Sequence, residues 1–172
     1  YRQIYDPAYP DEIERGIGLS LIQMLWDRGE ADGYAQHMTD DPLPGTPAHT
    51  VLMHVAFGDH QVSPDAANIQ ARTIGARIHA PTLAPGRLSY VEPQYWGIEP
   101  IESYPYGGSA IVVWDSGVPA PPLVNLAPGG EHDPHGDPRN DPEARVQKSE
   151  FLKPDGAVID VCGGAPCLAD QS

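Results

Sequence analysis

Asp59, His132 and His135 are the residues whose types and positions point to chemistry. A carboxylate can hold an imidazole in one tautomer, and an imidazole can take up and return a proton near neutral pH. Asp59 closes a loop just beyond one apolar run, residues 50–57. His132 and His135 follow another, residues 109–115. Both runs are nearly uncharged and rich in β-formers, which predicts strands buried on both faces of a parallel sheet. In open parallel sheets, ligands sit outside the carboxyl ends of the strands. The acid and the two candidate bases are therefore expected on one sheet edge.

The elements around these residues follow an α/β pattern. Residues 11–29 read as an amphipathic helix, with Ile13, Ile17, Leu21, Met24 and Leu25 at helical spacing and Gly16 and Gly18 allowing close packing. A short second helix is expected over 31–38. Residues 65–78 read as a helix opened by Ser63 and Pro64, two residues favoured at helix starts. Residues 142–151 read as a final helix with Pro142 in its first turn. Short β segments are expected near 88–91 and 157–161. The chain holds 20 Pro and 18 Gly, so long stretches must be loop, above all 79–108 and 116–141. No internal repeat or domain boundary is visible, and residues 1–172 are taken as one domain.

Composition bounds the partners. With 24 acidic and 10 basic residues the formal net charge is −14, which argues against a nucleic-acid partner. No apolar run approaches the ~20 residues of a membrane span. Cys162 and Cys167, in Cys-Gly-Gly-Ala-Pro-Cys, are placed to form a local disulfide, which points to a secreted or periplasmic protein. They could instead be half a metal site, but no second Cys pair completes one. The chain starts at Tyr1 rather than Met and carries no signal peptide, as expected of a mature or truncated piece.

The order of parts resembles the last third of the α/β-hydrolase fold. In that family the triad runs nucleophile, acid, histidine along the chain. The acid often stands in Asp-x-x-Val-x-Pro, matched here by Asp59, Val62 and Pro64. The histidine follows the last core strand on a loop before the C-terminal helix. The resemblance implies a mainly parallel sheet flanked by helices, and hydrolysis of carboxylic esters without a cofactor. Asp59 would orient the imidazole, and the histidine would act as general base and acid. His135, closer to the helix, is the first choice for that base. His132, after Gly130-Glu131, is the alternative.

The nucleophile departs from the pattern. No Gly-x-Ser-x-Gly elbow is present. The nearest sequence, Gly18-Leu19-Ser20-Leu21-Ile22, lacks the second Gly and lies inside an expected helix. The early strands and the oxyanion-hole loop are also missing. The resemblance thus implies a partial domain, completed by a companion chain or upstream segment that carries the Ser.

Two other readings stand beside this one. His132, Asp133, His135 and Asp137 offer metal ligands within six residues. Alternatively, the chain is a non-catalytic binding subunit with an acidic docking surface. Of the remaining residues, His60 is assigned to the pocket wall and His54 to the core as a satisfied histidine. His37, His49 and His79 carry no signal. Tyr90, Tyr95, Trp96, Tyr104 and Tyr106 line a cleft or pack as a surface loop.

Overall fold

A computed structural model describes residues 2–88, 94–122, 129–130 and 132–171, without the side chains of residues 2, 3 and 32. It is mixed α/β, with helices flanking an open parallel sheet. Strand β1 (Leu52–Ala56) and strand β3 (Ala110–Asp115) pair in parallel, Leu52 against Ala110 through Ala56 against Trp114. Ala110 also pairs with Arg77 of β2 (Arg77–Ile78), and Trp114 with Cys167 of β4 (Cys167–Leu168). A residue has only two ladder sides, so β2 and β4 share the edge of β3 opposite β1.

β3 is the central strand, and all six of its residues are buried. Strand alternation sends its side chains to two faces. Ile111 and Val113 join Phe57, Ala71, Ile74 and Ile78 in one apolar cluster, under helix α4 (Pro64–Thr73). Val112 and Trp114 join Ala144 and Cys167 in another, under helix α6 (Pro142–Phe151). Both helices begin as their sequences require: the Ser63 side chain caps α4 and the Asp141 side chain caps α6, each with Pro in the first turn. The short helix α5 (Asp137–Asn140) leads into α6.

β1 is different. Among the described residues it pairs on one side only, and four of its five residues are half-buried despite the apolar sequence LMHVA. Ala110 donates to the Val51 carbonyl, and Phe57 donates to the Trp114 carbonyl. The odd-numbered residues therefore face β3, and the backbones of Leu52 and His54 turn outward. Among the described residues no hydrogen bond reaches them on that side.

The N-terminal part holds helix α1 (Arg2–Ala8), helix α2 (Glu12–Trp26), helix α3 (Ala31–Tyr34) and a 3-10 turn over Ala35–His37. α2 is the expected amphipathic helix, capped by Asp11, but none of its residues is buried. Ile13 is 74% exposed and Leu25 68%. Gly16 has nothing near its missing Cβ, so it does not serve close packing here.

Several expectations need correction. The helix read over 65–78 stops at Thr73 because Gly75 turns at φ +65°, and Arg77–Ile78 form β2 instead. The segment 157–161 contributes only an antiparallel bridge between Val158 and Tyr106. The strand expected near 88–91 falls mostly outside the described residues. Cys162 and Cys167 are joined as a disulfide. Among the described residues no helix is long and apolar enough to cross a membrane.

Candidate active site

The structure brings Asp59 and His135 together. Asp59 Oδ2 lies 2.8 Å from His135 Nδ1, across 76 residues of sequence. The acid side chain is 9% exposed and the imidazole 26%. Asp59 stands three residues past β1, on a turn that needs Gly58 at φ +79°. A Cβ at Gly58 would sit 2.7 Å from Val118 Cγ2 and 2.8 Å from the Pro119 carbonyl, so only glycine fits. The other carboxylate oxygen, Oδ1, accepts from the backbone N–H of Gln61 (2.7 Å) and Val62 (2.9 Å). This local turn fixes the carboxylate plane and aims Oδ2 at the ring.

The His135 loop is held by Asp133, which sequence reasoning placed among metal ligands. Its carboxylate accepts from Gln61 Nε2 (2.9 Å), from the His135 N–H (3.1 Å) and from the His60 N–H (3.3 Å). It thus ties the acid's turn to the base's turn. The Gln61 side-chain hydrogen bond, chiefly, lowers the Asp133 pKa below its ordinary value.

The protonation pattern of His135 follows from its neighbours. An ionised Asp59 only accepts, so Nδ1 carries the proton. Arg139 only donates, and its Nη2 lies 3.3 Å from Nε2. Nε2 therefore presents its lone pair, as a general base must. An open groove of about 270 Å³ lies at this point, lined by Met53, His54, Val62, Ser63, Lys148 and Arg139 along with Asp59 and His135.

His132 does not meet Asp59. Its Nε2 pairs with Asp137 Oδ2 at 2.8 Å, and Asp137 is 1% exposed. With Asp133 tied to Gln61 and His135 tied to Asp59, the four residues of the expected metal loop do not converge on one point. His60 does not line the groove. Of the aromatic group, Tyr90 lies outside the described residues, and Tyr95, Trp96, Tyr104 and Tyr106 are absent from the groove lining. Arg139 was missed because a lone residue one helical turn from His135 shows no motif in one dimension, and Lys148 because it reaches the groove from α6, far along the chain from Asp59.

His54, expected to be a satisfied core histidine, is only half satisfied. Nε2–H donates to Gln147 Oε1 at 2.7 Å, and Nδ1 is buried without a partner. Burial lowers its pKa from 6.5 to about 4, against the opposing Gln147 hydrogen bond. The folded pKa lies below the unfolded one, so the unfolded state binds the proton more tightly between these values. Stability contributed by neutral His54 is complete above pH 6.5 and drains away toward pH 4. Urea unfolding at pH 7 and pH 5 should show a loss of about 2 kcal/mol in wild type that His54→Gln does not share. Equal losses in both would remove His54 from the account.

Comparison of the chain with family models, with curated proteins and with solved structures finds no match. The class is therefore argued from the site alone.

Proposed function

We propose that this chain supplies the acid and the base of a serine hydrolase that cleaves carboxylic esters, with the nucleophilic Ser brought by a companion chain or another segment. The observation that carries the reading is the Asp59–His135 hydrogen bond at 2.8 Å, with Nε2 as the basic nitrogen beside a groove. In the reaction, Nε2 takes the Ser proton as the hydroxyl attacks the ester carbonyl. Asp59 stabilises the imidazolium, and the same proton passes to the leaving alkoxide. Water then repeats the sequence on the acyl-enzyme. Arg139 occupies the position that the hydroxyl must take, so its exposed side chain swings aside when the nucleophile docks.

The open edge of β1 supports the second half of the proposal. A half-buried apolar strand whose outer backbone groups meet no described residue is a template for another strand, and it borders the groove that holds the dyad. A strand added there would deliver its loop close to Nε2. The disulfide fits a secreted or periplasmic setting for the complete enzyme.

Ser63 is the hydroxyl of this chain that lines the groove, but it serves as the α4 cap, accepting from the Asp65 N–H at 3.3 Å. A fluorophosphonate probe and a chromogenic short-chain ester separate the possibilities. The 172-residue chain alone should neither label nor turn over, and its complex with the Ser-bearing segment should do both. Turnover by the isolated chain would overturn the external nucleophile, and its loss on Ser63→Ala would identify Ser63 instead. A complete complex that binds esters without cleaving them would leave a binding module.

A further inference from the structure

The structure supplies the ligand that the Cys pair lacks in sequence. His79, at the end of β2, is 1% exposed, and one ring nitrogen lies within 4.8 Å of the sulfur atoms of Cys162 and Cys167. His79 is held from both sides. Tyr104 Oη lies 2.6 Å from Nδ1, and the Ala165 carbonyl, inside the Cys loop, lies 2.8 Å from Nε2. The carbonyl can only accept, so Nε2 carries the proton and Nδ1 accepts from Tyr104. Backbone features besides the sulfur bond also shape the loop. Gly163 and Gly164 turn at φ +63° and +73°, and Asp160 accepts from the N–H of Cys162 (2.9 Å) and of Gly164 (2.7 Å).

We propose that, when the disulfide is reduced, Cys162, Cys167 and His79 form a binding site for a soft divalent cation of the zinc class. Two thiolates and one imidazole select Zn²⁺-like ions over Ca²⁺ or Mg²⁺, which take oxygen. The ligand atoms lie within 4.8 Å of one another, so one ion with bonds of roughly 2.0–2.3 Å is reached once the sulfurs part and the imidazole draws in toward them. Three protein ligands leave a fourth position for water.

The steps balance. A phosphine or dithiol delivers two electrons to the S–S bond, and with two protons this gives two thiols. The phosphine leaves as its oxide with an oxygen from water, or the dithiol as its disulfide. Binding one Zn²⁺ forms two Zn–S bonds and releases the two thiol protons. His79 binds through Nε2, the nitrogen facing the loop; it gives up its hydrogen bond to the Ala165 carbonyl, and its proton reappears on Nδ1. The Tyr104 hydroxyl then changes from donor to acceptor and orients the ring, as outer partners of ligating histidines do. The same segment thus has a covalent closure under oxidising conditions and a metal closure under reducing ones. In both, β4 stays fastened against β3. This inference is independent of the hydrolase reading.

Zinc titration of the full chain against a chromophoric chelator, with and without phosphine, tests the site. The reduced chain should bind one Zn²⁺ with a dissociation constant on the order of a micromolar or tighter, and the oxidised chain should not. Co²⁺ in the reduced chain should show tetrahedral bands with thiolate charge transfer. His79→Gln should weaken zinc by roughly tenfold or more. Equal binding by oxidised and reduced chains, or cobalt spectra without thiolate bands, would reduce the signal to carboxylate binding and end the proposal. If His79→Gln fails to fold, X-ray absorption of the reduced wild type decides: two sulfur neighbours plus an imidazole pattern support the site, and their absence refutes it. If reduction itself loosens the fold, recovery of the near-UV signal on adding zinc counts for the site, and failure to recover counts against it.

Discussion

If the chain supplies the acid and base of a hydrolase as proposed, Asp59→Asn in the assembly completed by the Ser-bearing segment is expected to lower kcat by about 10⁴-fold with the fold intact. The reason lies in the two different jobs of the carboxylate oxygens. Oδ1 accepts from two backbone N–H groups, so the amide oxygen of Asn must take that place. Its NH₂ is then forced to face His135 Nδ1. An NH₂ can only donate, so Nδ1 must give up its proton and Nε2 must carry it. The ring ends in the tautomer that cannot accept a proton from a hydroxyl. His135→Ala should cost at least as much, whereas His132→Gln, which keeps a donor for Asp137, should hold kcat within a few-fold. Ester turnover by the complete enzyme measures the rates. Ring-nitrogen NMR of the present chain reports the tautomer switch without any nucleophile. A His135 that keeps its proton on Nδ1 in Asp59→Asn would break the argument, even if the rate fell.

The largest expected loss of stability belongs to Arg87→Ala. Arg87 Nε and Nη2 hold both oxygens of Asp115 at 2.6 and 2.8 Å, and Asp115 is 4% exposed. Nη2 also donates to the Val118 carbonyl, and the guanidinium lies 5.0 Å from the centre of the Phe57 ring. The Asp115 hydrogen bonds, chiefly, raise the Arg87 pKa above its ordinary value, so the cation is present at every working pH. Removing it leaves a buried carboxylate whose remaining described donor is the Gly117 N–H. Breaking one side of such a pair costs about 3–5 kcal/mol, a large share of the 5–15 kcal/mol typical of a whole domain. Urea unfolding measures it. The double change Arg87→Met with Asp115→Leu should recover most of the loss, because no charge is stranded. A single-mutant cost under about 1 kcal/mol would mean the pair behaves as a surface ion pair. Val118 also fills the space beside Gly58, so the damage should reach the turn that carries Asp59.

The sequence made some parts legible because they are written locally. β1 and β3 are continuous apolar runs, α4 opens on Ser63 and Pro64, and α6 has Pro142 in its first turn, so pattern alone located them. The Cys pair announced itself by spacing. Asp59 and His135 were legible as strand-end residues, though choosing His135 over His132 needed the fold. Other features are written only in three dimensions. The two-residue strands β2 and β4 carry no periodicity. They exist because β3 offers backbone partners along its second edge. Asp133, Arg139 and His79 take their roles from partners up to 86 residues away. The apolar stripe of α2 was read correctly as a pattern, but the described residues bury none of it.

The parallel pairing of β1 with β3 has a kinetic meaning. Its first contact, Val51 with Ser109, closes 58 residues of chain, and the Asp59–His135 contact closes 76. Loop closure must be met in entropy before such contacts return anything, which makes non-local parallel sheets slow to form. Before the sheet closes, the two halves of the dyad meet only at the entropic cost of a 76-residue loop. The hydrogen bond between them is therefore expected to form with the closing of the sheet, so its ring-nitrogen signal should rise together with the folded population.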